Sequence, residues 1–223
     1  MTSSEPHASA RASSAEEAHT AHHFRSFDQQ RHASRFGMWL FLGNEVVLFG
    51  GLLVAYALYR SVFPQAFHDA SRHLDLSLGT INTVILITSS LTVALAIHFS
   101  HHERRAATLL SLGRTILFAV VFLGIKGVEY SHKFAEGALP GRYYHFEEVR
   151  AGGASMFFTL YFFLTGLHAI HVIIGIAILG WMVVKTWRRE FVGGYNLPLE
   201  LSGLYWHLVD PVWIFLFPLL YLI

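Results

Sequence analysis

The apolar positions of this chain fall in blocks too broad for an amphipathic stripe and too unbroken for the alternation of a strand. Five such blocks stand out, at 36–59 (FGMWLFLGNEVVLFGGLLVAYALY), 78–99, 115–132, 154–185 and 204–223. A helix of roughly 20 apolar residues crosses a hydrocarbon core of about 30 Å. Lipid offers no partners to backbone amides, and the alternation of a membrane barrel is absent, so the blocks predict helices. The expected fold is an all-α integral membrane domain over 36–223 with five transmembrane helices. A polar tail over 1–35, rich in Ala, Ser and His, precedes it and is expected to be disordered. That tail has no apolar core and does not read as a secretory signal.

Composition agrees. The 223 residues are 53% hydrophobic and 14% charged, where a soluble domain carries about a quarter charged residues. Mean hydropathy is +0.44. The lack of cysteine removes disulfides, iron–sulfur clusters and thiolate metal sites. A net charge of +1 suggests no nucleic-acid partner. Lys and Arg are asymmetric about the spans: Arg11, Arg25, Arg31, Arg35, Arg104, Arg105, Arg114, Lys185, Arg188 and Arg189 lie on one side. Arg60, Arg72, Lys133, Arg142 and Arg150 lie on the other. The bias predicts a cytoplasmic N-terminus and a periplasmic C-terminus.

An ionisable group inside a span costs several kcal/mol unless paired or wet, so each one needs an account. The notable ones are Glu45, His98, Lys126, Glu129, His132, His168, His171, His207 and Asp210. Three pairs share the (i, i+3) spacing of one helix face: Lys126 with Glu129, His168 with His171, and His207 with Asp210. Counting about 1.5 Å of rise per residue places Glu45, His168 and Asp210 in one layer, with His171 and His207 slightly nearer the cytoplasm. Lys126 and Glu129 belong to the outer half and can neutralise one another. Glu45, His168, His171, His207 and Asp210 are therefore expected to form one intramembrane cluster. Two histidines on facing helices could hold a haem, as His168 or His171 with His207 would. An (i, i+3) pair on one helix more naturally supplies one ligand and one hydrogen-bonding neighbour, and Glu45, His168 and His207 make an untidy zinc set. No catalytic, cofactor or metal residue is assigned.

The segments LFLGNEVVLFGG, LGTINTVILITSSLTVALAIHFSHH, TGLHAIHVIIG and GLYWHLVDPVWIFLF occur in an order and spacing that resemble subunit III of the haem–copper respiratory oxidases, in its five-helix bacterial form. The resemblance runs from about Phe36 to Ile223. It implies a non-catalytic membrane subunit of a proton-pumping terminal oxidase, most commonly a cytochrome c oxidase of aerobic electron transport. Haem and copper would sit in partner subunits, with catalytic subunit I as the neighbour, and this chain would bind none of them. The resemblance also implies a lipid-filled cleft with structural phospholipids, support of proton uptake and a bacterial plasma membrane, and it admits a respiratory supercomplex. Glu45 falls on the family's membrane carboxylate, His168 and His171 on its paired histidines, and His207 and Asp210 on its closing motif. Many members have seven spans, so lipid-site residues do not transfer wholesale. Pro211 stands after Asp210 where Val is commoner, and with Pro218 it is expected to kink the last helix. Alternatives are the same subunit of a quinol oxidase, a nitric oxide reductase-associated protein, a freestanding cytochrome b, and a proton-coupled transporter. The last would show an inverted repeat, and none is apparent.

Overall fold

The computed structural model describes residue 24 and residues 26–138, 153–191 and 196–223. Within them the five predicted spans are five long helices, each longer than its apolar block. The first, α1 (Phe27–Val62), begins nine residues ahead of expectation. The Ser26 side chain caps it by accepting the Gln29 amide at 3.2 Å, and Asp28 sits favourably in the first turn. Hydropathy marks only the part that lipid would cover; capping decides where the helix starts. Residues 27–35 are thus helical rather than disordered, while 1–23 and 25 lie outside the described residues.

Pro64 then opens a short helix that the apolar pattern did not announce, α2 (Pro64–Ser71). Proline suits a first helical turn, where its missing amide would be unbonded anyway. Ala66, Phe67 and Ala70 are buried, and Phe67 packs edge-on against Tyr56 and Phe157. Asp75 next caps α3 (Leu76–His101) through the amides of Ser77 and Leu78 at 2.9 and 3.1 Å. A tight connection leads to α4 (Arg105–Ala135), then α5 (Ala154–Trp187) and α6 (Leu197–Tyr221).

Helices α3, α4, α5 and α6 form a closed ring in which each packs against the next and α6 returns to α3. Helix α1 lies outside the ring against α5 and α6. Its only buried residues are Leu42, Phe49 and Tyr56, seven apart along one narrow seam. The Tyr56 hydroxyl pins the far end by donating to the Leu219 carbonyl at 2.7 Å, in the last turn of α6 where carbonyls lack helical partners. Helix α6 is continuous across Pro211 and Pro218. Close approach between α5 and α6 needs Gly175: a β-carbon there would meet Trp206 Cζ3 at 2.5 Å.

Candidate functional site

The polar residues predicted from spacing fall into three settings, with His168 apart from all of them, and the expected five-residue cluster is divided between the first two and His168. In the first, Glu45 of α1 meets His171 of α5, with Oε2 2.8 Å from Nε2 and both side chains near 12% exposed. The other ring nitrogen, Nδ1, lies 2.8 Å from the Leu167 carbonyl one turn back. A carbonyl only accepts, so Nδ1 carries a proton. The contact to Glu45 therefore needs a second proton, either on the carboxyl or on Nε2. Both arrangements leave the pair neutral as a unit with one shared proton, a form that a bilayer interior tolerates. Tyr205 of α6 donates to the His171 carbonyl at 3.0 Å, and Phe49 packs edge-on against the imidazole at 5.2 Å. Helices α1, α5 and α6 are thus tied at one level.

His168 does not join this pair. Three residues advance a helix by about 300°, so His168 and His171 point some 60° apart. His171 faces α1, while His168 faces the interior of the ring. There it is fully buried between Phe122 of α4 and Trp213 of α6, both with ring centroids 5.5 Å away. Neither of its nitrogens has a hydrogen-bond partner among the described residues.

The second setting joins α3 and α6. His207 Nδ1 lies 2.9 Å from the Ser90 hydroxyl. Asp210, 2% exposed, faces the same serine, and neither carboxyl oxygen has a full hydrogen bond among the described residues. Asn82 on α3 is likewise fully buried, without a partner for its amide among the described residues.

The third setting is the best satisfied. Lys126 Nζ donates to Glu129 Oε2 at 3.1 Å, to Tyr161 Oη at 3.0 Å and to Tyr221 Oη at 2.9 Å. Glu129 Oε1 accepts from the same two hydroxyls, at 2.8 and 2.5 Å. All three ammonium protons and both carboxylate oxygens are engaged, and four aromatic rings surround the ammonium, the nearest that of Tyr161 at 4.9 Å. The pairing of Lys126 with Glu129 was legible from spacing. The two tyrosines lie 35 and 95 residues from Lys126 and carried no sequence signal.

At the end of the bundle where α1 and α6 begin, Glu200 accepts from Arg35 at 2.8 Å and lies 3.3 Å from His101. Among the described residues no three His, Asp or Glu side chains converge as a metal-holding group.

A family model described as cytochrome c oxidase subunit III matches residues 10–223. The chain is 31% identical over 191 residues to cytochrome bo(3) ubiquinol oxidase subunit 3 of Pseudomonas aeruginosa, covering 84% of this chain and 83% of that one. It is 28% identical over 207 residues to a probable quinol oxidase subunit 3 of Staphylococcus aureus, covering 91% and 96%. A heme-copper oxidase subunit I+III of Aeropyrum pernix is 30% identical over 199 residues, 85% of this chain but 22% of that longer polypeptide.

Proposed function

The chain belongs to the cytochrome c oxidase subunit III family, and on that premise we propose that it braces the catalytic subunit of a haem–copper terminal oxidase without carrying electrons itself. It is a multi-pass membrane protein and a non-catalytic oxidase subunit that associates with catalytic subunit I. The observation that carries the bracing role is the Glu45–His171 contact, which fastens the peripheral helix α1 to the ring near the middle of both helices. That helix is otherwise held by its seam of Leu42, Phe49 and Tyr56, by the Tyr56 hydroxyl and by the Arg35–Glu200 ion pair. Haems and copper belong to the other chains in this reading. The engaged nitrogens support it: both ring nitrogens of His171 are taken up by Glu45 and the Leu167 carbonyl, and Nδ1 of His207 meets Ser90. Support of proton uptake is assigned to the proton shared by Glu45 and His171. Structural phospholipids beside α1, a bacterial plasma membrane with the N-terminus cytoplasmic, and a supercomplex setting complete the proposal.

The test is co-purification of the full chain in mild detergent with and without Glu45→Gln. Glutamine keeps a hydrogen bond to His171 but cannot exchange the proton. The oxidase core is expected to co-purify with both forms, with an unchanged haem spectrum and faster inactivation during turnover in the variant. Loss of the haem signal would overturn the non-catalytic bracing role.

A second reading concerns the donor. The family description carries cytochrome c, whereas the Pseudomonas and Staphylococcus relatives are named for ubiquinol and quinol. Those names favour a quinol donor for the complex. Oxygen uptake by the purified complex with ubiquinol-1, compared with reduced cytochrome c, decides between them.

A further inference from the structure

Two cavities meet where α3 ends, α4 begins and α5 ends. The first, of about 300 Å³, is lined by the charged residues Glu103, Arg105 and Arg189, by Ser100, Thr108 and Thr186, and by Phe191. The second, of about 480 Å³, shares Arg105 and Arg189 and is otherwise apolar, lined by Ala106, Leu109 and Trp187. One pair of arginines thus stands between a chamber of mixed polar and apolar lining and a greasy one, and the Trp187 ring stands 70% exposed beside it. Aromatic rings of this kind sit at the level of lipid headgroups.

The charges are held in place. Arg105 Nε donates to the Thr186 carbonyl at 3.1 Å and its Nη2 to the Trp187 carbonyl at 2.5 Å, across from α4 to the last turn of α5. Five donors on a guanidinium leave others for a ligand. Glu103 and Arg189 are the non-glycine residues with positive φ among those described, at 55° and 60°. Each follows a helix end closed by a bond six residues long, Arg104 amide to Phe99 carbonyl and Glu190 amide to Lys185 carbonyl. The equivalent turn after α4, closed by Ala138 amide to Lys133 carbonyl, uses Gly137. Glycine adopts that conformation freely and a residue with a β-carbon does not. Both turns that rim the cavity carry a charged side chain where glycine would be less strained.

We infer that these cavities bind one membrane phospholipid with an amine-bearing headgroup. The phosphodiester sits between Arg105 and Arg189, the ammonium faces Glu103, and an acyl chain lies along Ala106, Leu109 and Trp187. A headgroup with only negative charge would oppose Glu103, whereas two cations and one acid complement a zwitterion. The inference needs the bilayer around the chain but not its place in an oxidase, so it stands or falls separately from co-purification with a core.

Native mass spectrometry of the full chain in mild detergent provides the test, with phosphatidylethanolamine and phosphatidylglycerol of identical acyl chains and inorganic phosphate as a third arm. The unaltered chain is expected to retain phosphatidylethanolamine in preference. Arg189→Gln should weaken both lipids by roughly fivefold, the loss of one basic contact at a membrane surface. Glu103→Gln should abolish the preference while phosphatidylglycerol binds as well or better. Arg105 is left intact because it supports the end of α5, and circular dichroism verifies that both variants keep their helices. Unchanged binding of both lipids in both variants overturns the inference, as does saturation by inorganic phosphate with no lipid retained.

Discussion

The Lys126–Glu129 centre permits the sharpest test of how this bundle is held. The two side chains are 5% and 2% exposed, one hydrogen bond joins them to each other, and four more link them to Tyr161 of α5 and Tyr221 of α6. Glu129→Leu leaves an ammonium with hydroxyl acceptors but no counter-charge. Lys126→Met leaves a carboxylate that two tyrosines still serve. Stripping one partner from a buried pair costs about 3–5 kcal/mol, with the lysine deletion toward the lower end because its partner stays hydrogen-bonded. The double variant, Lys126→Met with Glu129→Leu, removes both charges and replaces them with apolar groups of similar volume. What it leaves is two tyrosine hydroxyls that can bond to each other, so its loss should be about 1–3 kcal/mol, the cost of imperfectly satisfied hydroxyls. The double variant should therefore be more stable than the Glu129→Leu single. The measurement is unfolding of the full chain by sodium dodecyl sulfate in mixed bicelles, followed by tryptophan fluorescence; Trp213 lies 5.3 Å from the ammonium. Additivity of the two single losses within about 0.5 kcal/mol would refute the reasoning, because it would mean the charges do not depend on one another.

Two further outcomes can be read in the same unfolding assay. Gly175→Ala drives a methyl into Trp206 and should cost about 1–3 kcal/mol by overpacking, whereas Gly180→Ala in the same helix meets nothing within 4 Å and should stabilise by up to about 1 kcal/mol; equal effects at both would deny the close α5–α6 contact. His168→Leu removes two buried nitrogens that lack partners among the described residues and should be neutral or stabilising; a loss beyond about 1 kcal/mol would reveal a hydrogen bond that this imidazole depends on.

How far the chain could be read without its structure differs from feature to feature. The five spans were visible because each is apolar around its whole circumference, and no soluble helix needs that. Their ends were not, since Ser26, Asp75 and the turn at Glu103 act through local hydrogen bonds that hydropathy does not weigh. Helix α2 was missed because eight residues with one buried face give too short a period to register. The expected five-residue cluster failed for a geometric reason: depth along each helix was estimated, but rotation about each axis was not. Glu45 found His171 rather than His168 because a 60° difference in direction separates facing α1 from facing the ring interior.

Sequence alone settled the solvent of each segment, the number of crossings, and which ionisable groups would need partners in lipid. Those are properties of composition along one dimension, and water-to-lipid transfer reads them directly. Which partner each group obtained was settled only by the closing of α3, α4, α5 and α6 into a ring with α1 outside. That closure brought Tyr161 and Tyr221 to Lys126, Ser90 to His207 and Glu45 to His171. The physical reason is that burial is decided segment by segment, whereas a hydrogen bond is decided by the relative rotation of two helices, which no single segment encodes.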